Sequence, residues 1–261
     1  RCSRRVHDVG IYENLILGIH FLLLKKCKIF DEKTIVRCYT GRSMRINVRK
    51  HERRGYQSIK MSNILEKQFL KQRNDFEKSC VERDKKYHFP QGVIFETDIA
   101  YAKDKNKAHR LDRYRPKGKE AQILPVIINV HGGGLLLGNK EFNKYFCALL
   151  SKKGFLVYSM EYRLIPDCTF FDQLRDIFLA MDFVKEHAAA DGGDLSHVYL
   201  VGDSGGACLA TYANAIQNSK KIAKAAGIKP SELKVHALGL ISGMFYTTKF
   251  DKIGLFLPKY L

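Results

Sequence analysis

Several features are missing from this 261-residue chain. No apolar stretch spans a bilayer: the run Leu15 to Leu24 is ten residues long and includes Gly18 and His20, against the ~20 residues a membrane helix needs. It is not a secretory signal either, because Lys25, Lys26 and Lys28 follow it, Arg4 and Arg5 precede it, and no small-residue cleavage site comes after. It is expected to be a buried or interfacial helix. The seven cysteines (Cys2, Cys27, Cys38, Cys80, Cys147, Cys168 and Cys208) contain no Cys-x-x-Cys pair, which excludes the common zinc and dithiol motifs. Odd in number and widely spaced, they fit free thiols in a reducing, cytoplasmic setting. No internal repeat or low-complexity tract occurs. His7, His20, His51, His88 and His109 show no metal-ligand spacing, so neither metal nor cofactor is expected. The chain begins at Arg1, not methionine, and an upstream piece is expected.

Acidic residues are the other shortage. Formal net charge is +18, and the excess is uneven: residues 1–120 carry 30 Lys and Arg against 15 Asp and Glu, the remainder 15 against 12. The basic residues are scattered among acids with no nucleic-acid-binding signature, so the excess reads as a solvated face and no nucleic-acid partner is expected. The apolar content is ample for a core.

The pattern changes along the chain. In residues 1–92, Ile11 to Phe30 and Ile64 to Cys80 have helical character, the second with Ile64, Leu65, Phe69, Leu70 and Phe76 roughly on one face. No chemistry is visible there. Val93 to Tyr101 and Leu111 to Tyr114 predict a hairpin closed by Pro116 and Gly118. Strand and helix then alternate: strands at Ile123 to Val130, Phe155 to Tyr162, Val198 onward and Val235 to Ile241; helices at Glu141 to Lys153, Phe170 to Ala190, and from Ser204 to about Ala226. Alternating units with near-continuous apolar strands predict a doubly wound, mostly parallel α/β sheet.

Two motifs carry chemistry. Gly202-Asp203-Ser204-Gly205-Gly206 follows an apolar strand and opens a helix. A serine on such a turn is lifted above the sheet, with the helix N-terminus aimed where an oxyanion would form. Ser204 is the candidate nucleophile. His131-Gly132-Gly133-Gly134 ends the Ile123 to Val130 strand, and carboxyl ends of strands are where ligands sit in an open α/β sheet. Glycines without Cβ let several N–H groups converge on one oxygen. Gly-Asp-Ser-Gly-Gly also surrounds the nucleophile of chymotrypsin-like proteases, and His131 and Asp176 precede Ser204 as that order requires. Those proteases are β-barrels, however, and Ala207 to Ala213 continues as helix after alternating helices. The protease reading is rejected.

From about Val93 to Gly243 the chain resembles the hormone-sensitive-lipase-like family of α/β-hydrolase esterases. The matches are Tyr114-Arg115-Pro116, His131 to Gly134 with Gly138, Tyr162-Arg163-Leu164-Ile165-Pro166 with Phe170 and Asp176, and Gly202 to Gly206. The resemblance implies that Ser204 attacks an ester carbonyl and that the N–H groups of Gly133, Gly134 and Gly205 hold the oxyanion. It also implies that residues 1–92 form a helical cap and residues 93–261 the hydrolase core. Four positions depart from the family pattern: Gly205, Ala207, Cys208 and Leu135. His131 is expected to brace the oxyanion loop, Asp203 to fix neighbouring loops, His197 to lie on the surface, His187 late in a helix, and Cys208 to be a small packed residue.

A serine nucleophile needs a base and an orienting carboxylate, which follow it in this fold. Beyond Ser204 stand only Glu232, His236 and Asp251, and neither Glu232 nor His236 is where the resemblance puts a triad member. The expectation is a C-terminally incomplete chain that ends after Met244 to Leu261, a segment resembling a cap-lining insertion. The functional expectation is a serine carboxylesterase or deacetylase for small to medium acyl esters, impaired in this form, with a small-molecule ester as partner. Two alternatives remain: a non-catalytic binding protein of the same fold, and a membrane-associated lipase anchored through Leu15 to Leu24. Oligomeric state is left open.

Overall fold

The computed structural model describes residues 63–245. The readings at Leu15 to Leu24, Ile11 to Phe30, residues 246–261 and Asp251 lie outside the described residues. Six strands form one sheet: β1 (Val93–Ala100), β2 (Arg110–Pro116), β3 (Leu124–Val130), β4 (Leu156–Met160), β5 (Gly193–Asp203) and β6 (Ala237–Ile241), in the order β1-β2-β4-β3-β5-β6. β1 pairs antiparallel with β2, and β2 with β4; the β4-β3-β5-β6 pairs are parallel. The expected hairpin and mostly parallel α/β-hydrolase-type sheet are therefore present.

Side-chain alternation explains the double winding. Val126, Ile128, Leu156, Tyr158, Val198 and Leu200 enter one core cluster with residues of α3 (Phe170–His187) and α4 (Gly205–Gln217). Ile127, Val157, Tyr199 and Val201 face the other way, against Phe146, Cys147 and Leu150 of α2 (Lys144–Lys152). Period-two strands with apolar residues on both faces must be covered on both sides. Burying each such aliphatic side chain contributes about 1.5–3 kcal/mol.

Several boundaries differ from the sequence reading; α3, for one, ends at His187 and not at Ala190. Residues 140–143 form a 3-10 turn, so α2 begins at Lys144. β5 starts at Gly193, not Val198: Gly193 and Asp194 pair with Leu124 and Pro125, and the register then jumps to Val198 opposite Val126. His197 lies in that irregular stretch. The helix after Ser204 stops at Gln217, and a separate α5 spans Lys220–Ala226. There Asn218 Nδ2 donates to the Asn214 carbonyl and the Ser219 hydroxyl accepts from Ile222 N–H at 3.3 Å. Polar side chains bonding locally to the backbone in this way end one helix and cap the next.

Before the sheet, α1 (Asn63–Asp84) lies against the residues around Phe142. Phe69 enters the core, Phe76 meets Phe142 at 5.1 Å, and Tyr145 Oη donates to the Asp84 carbonyl. Leu70, expected on the buried face, is 49% exposed. No helix among the described residues is long and apolar enough to cross a membrane.

Candidate active site

Ser204 sits between β5 and α4 at φ 48°, ψ −113°. A non-glycine residue pays about 1–3 kcal/mol for such a conformation, so neighbouring contacts must hold it. Ser204 N–H donates to the Ile241 carbonyl at 2.8 Å, and the Ser204 carbonyl accepts from Cys208 and Met244 N–H, both at 3.2 Å. Two residues away on either side, at Gly202 and Gly206, only glycine fits. A Cβ on Gly202 would stand 2.6 Å from the Gly206 backbone, and one on Gly206 would stand 2.1 Å from the Val130 carbonyl oxygen.

The loop after β3 meets this turn. Gly133, Gly134 and Leu135 have φ of 121°, 62° and 73°. Leu137 N–H closes the loop on the Gly133 carbonyl at 2.9 Å; a Cβ on Gly133 would stand 1.9 Å from the Leu137 oxygen. The loop backbone packs close to the helix start: a Cβ on Gly205 would lie 3.0 Å from Leu135 N and 3.1 Å from Gly134 N. Neither of those N–H groups donates a hydrogen bond among the described residues. Gly205, the first residue of α4, has no intrahelical acceptor by helix geometry.

His131 lies behind the loop, fully buried. Nδ1 is 2.8 Å from the Gly132 carbonyl and Nε2 is 3.0 Å from Glu161 Oε1, while the ring stacks on Tyr162 at 4.3 Å. Tyr162 Oη donates to the His131 carbonyl at 2.8 Å. Burial alone would lower the imidazole pKa, but the Glu161 charge and hydrogen bond, with the Gly132 carbonyl, carry it above its usual value. With both ring nitrogens engaged, His131 has no nitrogen free to face Ser204. Asp203 Oδ1 accepts from Gly132 N–H at 2.9 Å and from Asn143 Nδ2 at 2.7 Å, tying the Ser204 turn to the loop.

Two networks were not legible in advance. Asp176, fully buried, accepts from Arg163 N–H at 3.0 Å, Arg163 Nη2 at 2.7 Å and His109 Nε2 at 3.1 Å. Asp104 meets the other nitrogen of His109 at 2.7 Å. Gln173 Nε2 then bridges the Arg163 and Leu135 carbonyls, each at 2.9 Å. Separately, Lys140, 3% exposed, pairs with Asp98 and Asp112 at 3.0 Å each and with Glu141. Asp98, Asp112 and Glu141 could together hold a cation by their spacing, but the Lys140 ammonium already occupies that position. The longest of these contacts joins residues 67 positions apart, beyond the reach of local pattern.

The remaining candidates lie apart from Ser204. His236 Nδ1 accepts from Val198 N–H at 3.2 Å, midway along β5, six residues or roughly 20 Å from Ser204 along the strand. Glu232 pairs with Lys185 and is exposed. His187 ends α3 and stacks on Phe183 at 4.0 Å; His197, partly exposed, pairs with Asp194. No described histidine lies within hydrogen-bond distance of Ser204. Burial pushes the Cys208 thiol up to about 12, which makes it a packed residue and a poor nucleophile.

Known proteins share this architecture. Esterase B from Lactobacillus rhamnosis, solved with a tributyrin phosphonate, superposes with a TM-score of 0.71 at 26% identity over 77% of this chain and 66% of that one. Isoprenylcysteine alpha-carbonyl methylesterase ICME of Arabidopsis thaliana is 32% identical over 44% of this chain and 26% of its own length. Versiconal hemiacetal acetate esterase of Dothistroma septosporum is 30% identical over 54% of this chain and 40% of its own. The chain thus spans between about a quarter and two fifths of these curated relatives. These likenesses support the resemblance to hormone-sensitive-lipase-like α/β-hydrolase esterases. The BD-FAE family model matches residues 111–251, more than half of the chain and both motif loops, and the chain belongs to the BD-FAE family.

Proposed function

We propose that the chain carries the nucleophile and oxyanion half of a serine carboxylesterase or deacetylase for small to medium acyl esters. The observation that carries this reading is Ser204 at φ 48° followed by Gly205, which packs close to Gly134 N and Leu135 N. In the proposed reaction Ser204 Oγ attacks the ester carbonyl, and the carbonyl oxygen gains negative charge. That charge is met by N–H groups of Gly133, Gly134 and Gly205, donors already fixed before reaction and so needing no reorganisation. Collapse of the tetrahedral species breaks the bond to the alcohol, which leaves with the proton lost by the Ser204 hydroxyl, and the acyl group stays on Ser204; water then attacks that acyl carbon, releasing the carboxylic acid and restoring the hydroxyl. His131 serves here as a positioning group because both its nitrogens are spoken for. A reducing, cytoplasmic setting fits the free cysteines Cys80, Cys147, Cys168 and Cys208.

Hydrolysis of p-nitrophenyl acetate and mass-spectrometric labelling by a fluorophosphonate, each compared with Ser204→Ala, test the reading. Labelling confined to Ser204 supports it. Hydrolysis that survives Ser204→Ala unchanged overturns it, and ester binding without labelling or turnover favours the binding-protein alternative.

A further inference from the structure

We propose that Arg73 of α1 is the positioning residue of the oxyanion loop, acting on the Gly134 N–H through two peptide planes. This rests on the reading of Ser204 and its loop given above. Arg73 Nε donates to the Leu136 carbonyl at 2.9 Å and Nη2 to the Ile165 carbonyl at 2.7 Å. Nη1 reaches Asp167 at 2.8 Å. The guanidinium is largely covered, with 16% of the side chain exposed, whereas Asp167 is 67% exposed. A solvated ion pair contributes little, so the two carbonyl contacts are the ones that matter. Both lie on loops of the site, and those loops are joined to each other by Ile165 N–H donating to the Leu135 carbonyl at 3.1 Å.

The relay follows from peptide planarity. The Leu136 carbonyl and the Leu137 N–H share one plane, so fixing the first aims the second. Leu137 N–H bonds the Gly133 carbonyl at 2.9 Å, and that carbonyl shares a plane with the Gly134 N–H. Arg73 thereby sets the direction of an amide 61 residues away. The planar fork is required, because a lysine ammonium lacks the rigid geometry that spans both carbonyls. Docking of α1 itself has other supports: Phe69 in the core, the Phe76 and Phe142 rings, and Arg83 Nη1 on the Phe142 carbonyl at 3.1 Å.

The test compares wild type, Arg73→Ala, Arg73→Lys and Arg83→Ala in the full chain by fluorophosphonate labelling of Ser204 and by hydrogen exchange at the Leu137 amide. Arg73→Ala is expected to slow labelling about tenfold or more and to speed Leu137 exchange by a similar factor. Added methylguanidinium is expected to restore labelling, and Arg73→Lys to recover it only partly. Arg83→Ala, which weakens helix docking alone, is expected to stay within about twofold of wild type. Wild-type labelling and wild-type Leu137 exchange in Arg73→Ala overturn the proposal, as does an equal loss in Arg83→Ala. Should Arg73→Ala fail to fold, Arg73→Lys carries the same comparison. If wild type itself is not labelled, the serine reading fails, and Leu137 exchange alone decides for or against Arg73.

Discussion

The Asp203 carboxylate accepts the Gly132 amide at 2.9 Å, joining the residue before the candidate nucleophile to the start of the glycine loop across 71 positions of sequence. The contact leaves no spare room: a Cβ on Gly132 would stand 2.2 Å from Asp203 Oδ2. Asp203→Ala leaves the Gly132 N–H without its acceptor and the Asn143 side-chain amide with only the 3.5 Å contact to Asn129 Oδ1. Unpaired donors of this kind cost about 1–3 kcal/mol. Urea unfolding is expected to report that loss, and Asp203→Asn, which keeps one acceptor oxygen, is expected to recover part of it.

Glycines around Ser204 are expected to differ sharply in tolerance. In Gly206→Ala the added carbon meets the Val130 carbonyl oxygen at 2.1 Å, and backbone must move. A loss above about 4 kcal/mol, or no folded protein, is expected. Gly205→Ala meets Leu135 N at 3.0 Å, Gly134 N at 3.1 Å and Gly134 Cα at 3.3 Å, contacts that a shift of a few tenths of an ångström relieves. Alanine also gains up to about 1 kcal/mol over glycine in a helix, so this variant is expected to fold with stability within about 1 kcal/mol of wild type. Thermal unfolding of the two variants side by side checks the contrast.

The pair of His131 and Glu161 predicts a pH dependence of stability. The folded pKa of His131 is raised above its unfolded value, so the folded state binds the extra proton in the interval between the two. The stabilisation is full below the unfolded value of about 6.5 and is lost as pH rises through the higher folded value. Glu161→Gln removes the charge that raises it. Denaturation measured at pH 6 and pH 8 is expected to show a smaller fall with pH in Glu161→Gln than in wild type; equal falls would rule out this pair as the source.

Lys140 is expected to be the costliest single charge to remove. Its ammonium is surrounded by Asp98, Asp112 and Glu141, with Asp112 fully buried. Burial would lower the pKa of this lysine, yet the three carboxylates raise it. Lys140→Met strands Asp112, whose own carboxyl burial already pushes up. Removing one partner of a buried pair costs about 3–5 kcal/mol. Equilibrium unfolding is expected to fall near the lower end of that range, since Asp98 is 69% exposed and partly solvated.

Some of this molecule was readable from local pattern alone. Val126 to Val130 and Val198 to Val201 read as buried strands because apolar side chains on both faces leave a contiguous run. Gly202 to Gly206 read as a nucleophile turn because the conformation at Ser204 demands small neighbours two residues away on each side. Both signals are short-range, and both survive in one dimension. The break at Asn218 and Ser219 was also local but weak, since two polar residues in an apolar helix resemble a solvated face as much as a cap.

What only the tertiary structure decided was which distant groups share a site. Arg73 looked like one more charge on a charged helix, although it reaches carbonyls 63 and 92 residues away. His109 had no motif, yet it stands between Asp104 and Asp176. Leu70 fell on the apolar stripe and is exposed, while Phe69 beside it is buried. Sequence patterning records the preferences of neighbouring residues for helix, strand or turn, and these determined the sheet and the Ser204 turn. Contacts between loops depend on how the sheet is ordered and wound, and that order arises only when non-local burial and hydrogen bonding are satisfied together.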